Sequence, residues 1–184
     1  DRVEEVYMGN VVQSGLGQAP ARQASIYAGL PKETICTTVN KVCASGMKAI
    51  MLAAQGLMCG HQNVTIAGGM ESMSNVPYYL PRGDTPYGNL QLEDGIAKDG
   101  LTDVYDRIPM GVCAEKTAKA EGLSRADQDA YAKQSYERVA KAWKDGVFNA
   151  EIAPVKVTTK KGEIIVKEDE EYKKVDFEKM KTVC

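Results

Sequence analysis

The five cysteines, Cys36, Cys43, Cys59, Cys113 and Cys184, include no CxxC pair and form no even framework, which points to free thiols in a reducing compartment. Basic residues are not in excess. Lys and Arg number 23 against 25 Asp and Glu, and the net charge of -2 leaves no large basic field for nucleic acid. No apolar run approaches the length needed to cross a bilayer, so no membrane partner is expected. The start, Asp1-Arg2-Val3-Glu4-Glu5, reads as neither a signal nor a transit peptide, although a processed or truncated start would look the same. Internal repeats and low-complexity tracts are missing. Histidine occurs once, in Cys59-Gly60-His61-Gln62 between a helical and a strand pattern, where it reads as a plain turn residue. What remains is a chain of 184 residues, 43% hydrophobic and 26% charged, enough for one globular domain or slightly more.

The most informative stretch is Val42-Cys43-Ala44-Ser45-Gly46. Upstream, Thr34, Ile35, Thr37, Thr38 and Val39 favour a strand. Downstream, Met47, Ile50, Met51, Ala54, Leu57 and Met58 recur at helical spacing. Cys43 is therefore expected at a strand-to-helix junction, where the helix dipole and free N–H groups stabilise a thiolate. Thiolate is the nucleophilic form, and the small residues that follow let a substrate approach the backbone. Read alone, a cysteine so placed is more often a buried, inert hydrophobe, and it is the surrounding motifs that reverse the weighting.

The surrounding pattern is α/β. Glu5 to Val12 reads as a strand that breaks off at Ser14-Gly15-Leu16-Gly17, and Pro20 to Ala28 as a helix closed by Gly29. Val64 to Ala67 reads as a strand ended by Gly68-Gly69. Strand, helix, strand in this order is a βαβ unit, implying parallel pairing and a right-handed crossover. Ligands bind at the C-terminal ends of such strands, where both Cys43 and Gly68-Gly69-Met70-Glu71-Ser72 fall. From Ser74 to Asp106, Pro77, Pro81, Pro86, Gly83, Gly88 and Gly95 interrupt any period. This excursion is either functional or a mobile surface loop, and Tyr78, Tyr79, Leu80 and Tyr87 would let it pack on another subunit. Gly111 to Ala120 reads as a helix. A second opens with the capping-box pattern of Ser124-Arg125-Ala126-Asp127, presents Tyr131 or Ala132, Ser135, Val139, Ala142 and Trp143 on one line, and closes at Gly146. Val155 to Val157 and Ile164 to Val166 flank Lys160-Lys161-Gly162 as a hairpin. The charged tail, Lys167 to Lys181, has Val175 and Phe177 as anchors.

Several spaced motifs carry a family resemblance. Asn40-Lys41-Val42-Cys43-Ala44-Ser45-Gly46-Met47-Lys48-Ala49 resembles the acyl-enzyme cysteine motif of thiolases, and Ala67-Gly68-Gly69-Met70-Glu71-Ser72-Met73-Ser74 resembles a second signature of that family. Gly17 to Ala24, Asp99 to Asp103, Ala114-Glu115 and Asp127 to Tyr131 are similar to it too. Met70 to Pro77 and Lys167 to Tyr172 resemble the mitochondrial acetoacetyl-CoA thiolases (acetyl-CoA acetyltransferases) within it. The fold that this implies is α/β: a thiolase-like N-terminal domain of βαβ units with a parallel or mixed sheet, partial over 1–72, and an inserted loop domain over 73–184 that binds CoA and serves oligomerisation. The C-terminal thiolase domain and the first strand and helix of the N-terminal domain are expected to be absent.

The resemblance implies that Cys43 takes an acyl group from a CoA thioester and passes it to CoA or to an acetyl-CoA carbanion. The net reaction is the reversible condensation of two acetyl-CoA to acetoacetyl-CoA and CoA. The Cys43 N–H would donate to the developing oxyanion. Leu101 and Met110 are expected to line the CoA and acyl pocket, and Lys174, Val175 and Asp176 to meet the CoA nucleotide. Tyr136 would help hold CoA and a potassium ion; no cofactor is expected to bind tightly. Packing or a solvated charge is the ordinary alternative for each of these residues. A homo-oligomer, acyl-CoA partners and a mitochondrial location follow from the same resemblance. Two departures stand out. Pro109 in Ile108-Pro109-Met110-Gly111 replaces the family's histidine, and the family's Gly-His-Pro histidine and Cys-x-Gly cysteine have no counterpart in this sequence. Three readings stay open: a piece of an acetyltransferase, a short chain that binds acyl-CoA or a partner subunit without turnover, and a relative with another acyl preference.

Overall fold

The computed structural model describes residues 2–84, 87–180 and 182; Cys184, Pro86, Lys181 and Asp1, all used in the sequence reading, lie outside them. Contacts divide the chain into two compact units, residues 1–113 and 114–184.

The first unit is built on a three-stranded parallel sheet of β1 (Glu5–Gly9), β2 (Ile35–Val39) and β3 (Thr65–Gly69), in the order β2-β1-β3. β1 pairs with β2 from Glu5 opposite Ile35 to Gly9 opposite Val39, and with β3 from Glu5 opposite Thr65 to Gly9 opposite Gly69. The crossover from β2 to β3 thus skips a strand, and β1 lies between the two. Helix α1 (Pro20–Tyr27) follows β1, and α2 (Ser45–Met58) follows β2.

Alternating side chains put the two helices on opposite faces. The Ala21 N–H donates to Thr38 Oγ1 (3.0 Å), which places α1 on the Thr38 face. Gly9, one register position on, faces the head of α2: a Cβ there would stand 2.5 Å from the Gly46 nitrogen. Gly69 faces it too, with a virtual Cβ 3.5 Å from the Gly46 Cα. The two glycines of the Gly68-Gly69 pair therefore belong to β3 rather than ending it. At Gly69 helix and strand backbones meet, whereas a Cβ on Gly68, on the other face, would stand 3.6 Å from the Met8 side chain.

β1 is shorter than the pattern suggests. The chain leaves it at Asn10, whose N–H reaches Val39 O (3.0 Å) before the next amides turn to a side chain on β3's exit. α1 closes as expected, with Gly29 at φ 82°. The core of this unit is small: Val6, Val12, Ala21, Ala49 and Ala53 are its buried apolar residues. α2 turns Ser45, Ala49 and Ala53 to the sheet, while Met47, Ile50, Met51, Leu57 and Met58, the stripe that marked it as a helix, are exposed. The excursion after β3 carries little regular structure: a 3-10 turn at Met73–Asn75, a two-residue ladder of β4 (Tyr78–Tyr79) with β5 (Glu93–Asp94), and a π turn at Ala97–Leu101.

Helix α3 (Met110–Ala120) carries the chain onward. In the second unit, α4 (Arg125–Lys144) starts at Ser124, whose side chain accepts from the Asp127 N–H while Asp127 accepts from the Ser124 N–H, the reciprocal bonds that the sequence pattern predicts. Gly146 follows it at φ 72°. Of the two candidate lines on α4, Ala132 with Val139, Ala142 and Trp143 is half-buried, and Tyr131 is exposed. Trp143 packs on Phe148 (5.0 Å between centroids) and stacks on Tyr172 (6.3 Å). β6 (Val155–Thr159) and β7 (Gly162–Val166) form the expected hairpin. Short α5 (Phe177–Met180) is the last described helix, with Phe177 edge-on to Tyr136.

Candidate active site

Cys43 stands between the end of β2 and the start of α2, as the strand-to-helix reading requires, and its thiol is free and exposed. The turn that presents it is tight. Val42 sits at φ 49°, an unusual conformation for a β-branched residue. Its N–H donates to Asn40 Oδ1 (3.0 Å). Buried Ser45 holds both sides of the turn: its hydroxyl accepts from the Lys41 N–H (2.8 Å) and donates to Val42 O (2.6 Å). The first helical hydrogen bond, Lys48 N–H to Ala44 O (2.8 Å), begins one residue past Cys43. The thiol thus borders the open amide end of a 14-residue helix, where the backbone dipole favours negative charge.

A cavity of about 140 Å³ opens beside Cys43, with Val11, Val12, Val42, Ile96 and Leu101 among its walls. Leu101 is thereby brought to Cys43. A neighbouring hollow of about 640 Å³ shares Val11, Val42 and Gly100 with it and includes Met110. Pro109 sits just before α3, where its carbonyl accepts from the Val112 N–H (3.0 Å). Neither a histidine nor a second cysteine lines the 140 Å³ cavity; Glu71 is its other ionisable residue.

Glu71 and Asn10 have no role in the motif reading, yet they organise this end of the sheet. Glu71 follows β3 and accepts from Asn10 Nδ2 (2.9 Å), the Val11 N–H (2.9 Å) and the Val12 N–H (3.1 Å). Asn10, 1% exposed, also donates to Met70 O (3.0 Å), and the Met70 N–H returns to Gly9 O (2.9 Å). The signal available in the sequence was a carboxylate directly after a glycine pair at a strand's C-terminal end, beside amides that leave the ladder.

The remaining expected site residues lie in the second unit. The Tyr136 hydroxyl reaches Glu171 Oε1 (3.4 Å). Lys174 pairs with Glu170 (3.2 Å), Val175 is half-buried, and Asp176 Oδ1 caps α5 by accepting from the Glu178 N–H (3.0 Å) and Lys179 N–H (3.2 Å). Tyr172 donates to Glu168, and that bond pushes its hydroxyl up to about 12. A separate cavity of about 420 Å³ lies between α4 and the hairpin, with Trp143, Phe148 and Val155 on its walls. For a cation, Tyr136 and Glu171 offer two oxygens, and no group of three or more His, Cys, Asp or Glu side chains suited to a metal occurs among the described residues. His61 lies in an exposed turn, its N–H on Gly56 O (3.0 Å).

Residues 1–184 match the family described as the thiolase N-terminal domain. The chain is 64% identical over 181 residues to the mitochondrial acetyl-CoA acetyltransferase of Mus musculus, covering 98% of this chain and 43% of that one. It is 63% identical over 187 residues to the mitochondrial acetyl-CoA acetyltransferase A of Xenopus laevis, covering 100% and 44%. Among solved structures it is similar to the Acat5 thiolase of Ascaris suum in complex with coenzyme A, with a TM-score of 0.90 and 46% identity over 99% of this chain and 46% of that chain. The chain spans under half the length of these relatives.

Proposed function

Since the chain belongs to the thiolase family, we propose that it carries the acyl-accepting part of an acetyl-CoA C-acetyltransferase, with Cys43 as the nucleophile. The observation that carries this is the position of Cys43: a free thiol at the head of α2, facing an apolar cavity at the C-terminal end of a parallel sheet. In the condensing direction the Cys43 thiolate attacks the carbonyl carbon of acetyl-CoA. The carbon–sulfur bond to CoA breaks, CoA leaves as its thiolate, and acetyl remains on Cys43; the α-proton given up in the next step balances that thiolate as the CoA thiol. A second acetyl-CoA loses an α-proton, and its carbanion attacks the acetyl group to give acetoacetyl-CoA and the free thiolate. Thioester exchange is nearly balanced, so both directions stay open.

The residues of this chain supply the nucleophile and the apolar walls. The Cys43 N–H, just before the head of α2, would donate to the developing oxyanion. Leu101 and Met110 line the path of the acyl chain, and Tyr136, Lys174, Val175 and Asp176 form the second group of CoA contacts, in a loop domain counted from residue 73. A potassium ion beside Tyr136 and Glu171 completes this reading, and no step depends on it. Similarity to mitochondrial acetyltransferases supports a mitochondrial location, and a homo-oligomer belongs to the same reading.

The walls of the Cys43 cavity hold no histidine and no second cysteine to move the α-proton. We therefore expect acylation without turnover from this chain by itself. Intact mass after incubation with acetyl-CoA, and separately with acetoacetyl-CoA, tests this. An acyl adduct that disappears in Cys43→Ala supports the proposal. No adduct would favour the second reading, a chain that binds acyl-CoA or a partner without chemistry. Sustained thiolysis would show that the proton-transfer groups lie within it.

A further inference from the structure

The loop after β1 leaves the sheet with two amides that no strand receives, and those of Val11 and Val12 both end on the Glu71 carboxylate, at 2.9 and 3.1 Å. The same carboxylate takes Asn10 Nδ2 at 2.9 Å, and that amide also holds Met70 O at 3.0 Å. Three consecutive residues are thus pinned to the exit of β3. Their side chains are not neutral bystanders: Val11 and Val12 form a wall of the cavity that Cys43 opens into, and Val12 is 6% exposed. The wall has one further tie, a long bond from Asn40 Nδ2 to Val11 O (3.4 Å). A loop without ladder bonds is otherwise free to shift, and an apolar wall displaced by about 1 Å changes what fits beside a reacting atom.

We propose that Glu71 is a positioning residue: by receiving the Val11 and Val12 amides it sets the apolar wall opposite Cys43, and with it the room available to the acyl chain. It acts through that wall and has no part in bond making. A glutamine fits this post poorly, because its single acceptor oxygen cannot serve three donors and its NH2 would face one of them. The assignment rests on Cys43 being the acyl-accepting thiol. Its test is read in alkylation rather than acyl transfer, so absence of an acetyl adduct on the unaltered chain would count against that reading and leave this one to be judged separately.

The experiment compares the rates at which iodoacetamide and N-hexyl iodoacetamide label Cys43 on the 184-residue chain, quantified on the Cys43 peptide by mass spectrometry. N-acetylcysteine gives the intrinsic ratio. The native chain is expected to favour the hexyl reagent over that ratio. Glu71→Gln and, independently, Val12→Ala are expected to lower the preference about ten-fold, the scale of a lost apolar pocket contact, with circular dichroism unchanged. A preference retained in Glu71→Gln but lost in Val12→Ala would overturn the role of Glu71. A preference that falls only as the dichroism signal is lost would reduce Glu71 to a fold-supporting residue, which overturns it as well. Amide hydrogen exchange on the unaltered chain needs no variant: the Val11 and Val12 amides should exchange more slowly than that of Gly15, and equal rates would sink the proposal.

Discussion

Gly9→Ala would place a methyl carbon 2.5 Å from both the Gly46 nitrogen and the Ser45 carbonyl carbon. These are backbone atoms at the head of α2, which cannot rotate away as a side chain would. The expected result is a loss of about 1–3 kcal/mol on urea unfolding, together with displacement of the turn that presents Cys43. Gly29→Ala, with no atom within 4 Å of its added carbon but φ at 82°, is the contrasting control: its cost is conformational alone. Cys43 itself was legible from the chain, since a cysteine between a β-branched run and a helical period has few other places to be. Ser45 and Asn40 were not. Their hydroxyl and amide act on backbone groups two to four residues away, and only the left-handed Val42 makes those bonds possible.

At the scale of elements, apolar periodicity located α2 but did not report which face meets the sheet. Its large residues mark a helical face, yet the sheet takes Ser45, Ala49 and Ala53, because backbone contact at Gly9 and Gly69 brings the helix too close for anything larger. Helix α4 was readable to its first residue, since a capping box is a local device that needs no tertiary partner. It also carries a pH dependence. The Ser124 side chain, and then its N–H, hold the Asp127 carboxyl below its ordinary 3.8. A depressed carboxylate contributes stability that is present above the ordinary value and lost as pH falls through the folded one. The ellipticity of α4 should therefore fray as pH drops below about 4, and Ser124→Ala, expected to cost about 1 kcal/mol, should remove most of that acid-dependent step. A titration curve identical in the variant would show that the box contributes nothing.

For the chain as a whole, the dominant fact is apolar surface without cover. On α2, Met47 is 68% and Met58 86% exposed, with Ile50, Met51 and Leu57 alongside. Burying one such side chain is worth roughly 1.5–3 kcal/mol, so a contiguous stripe of them favours association. The chain should run as an oligomer or aggregate in light scattering at micromolar concentration, and Met47→Lys combined with Met51→Lys should shift it toward monomer. A monodisperse monomer from the unaltered chain would contradict this. The hairpin adds to the effect, since Val155, Ile164 and Ile165 are exposed as well.

What the sequence by itself determined is whatever depends on neighbours along the chain: the strand and helix periods, the capping box, the glycines that end α1 and α4, the position of Cys43, and motifs specific enough to identify the family. What only the tertiary structure decided depends on groups brought together across the sheet. β1 lies between β2 and β3, an order that no local pattern encodes. Gly9 and Gly69 close a strand-to-helix contact, and Glu71 gathers amides some sixty positions away in the chain. Hydrogen bonds and close packing act over a few ångströms of space, and sequence spacing reports that distance only within a turn or a helix.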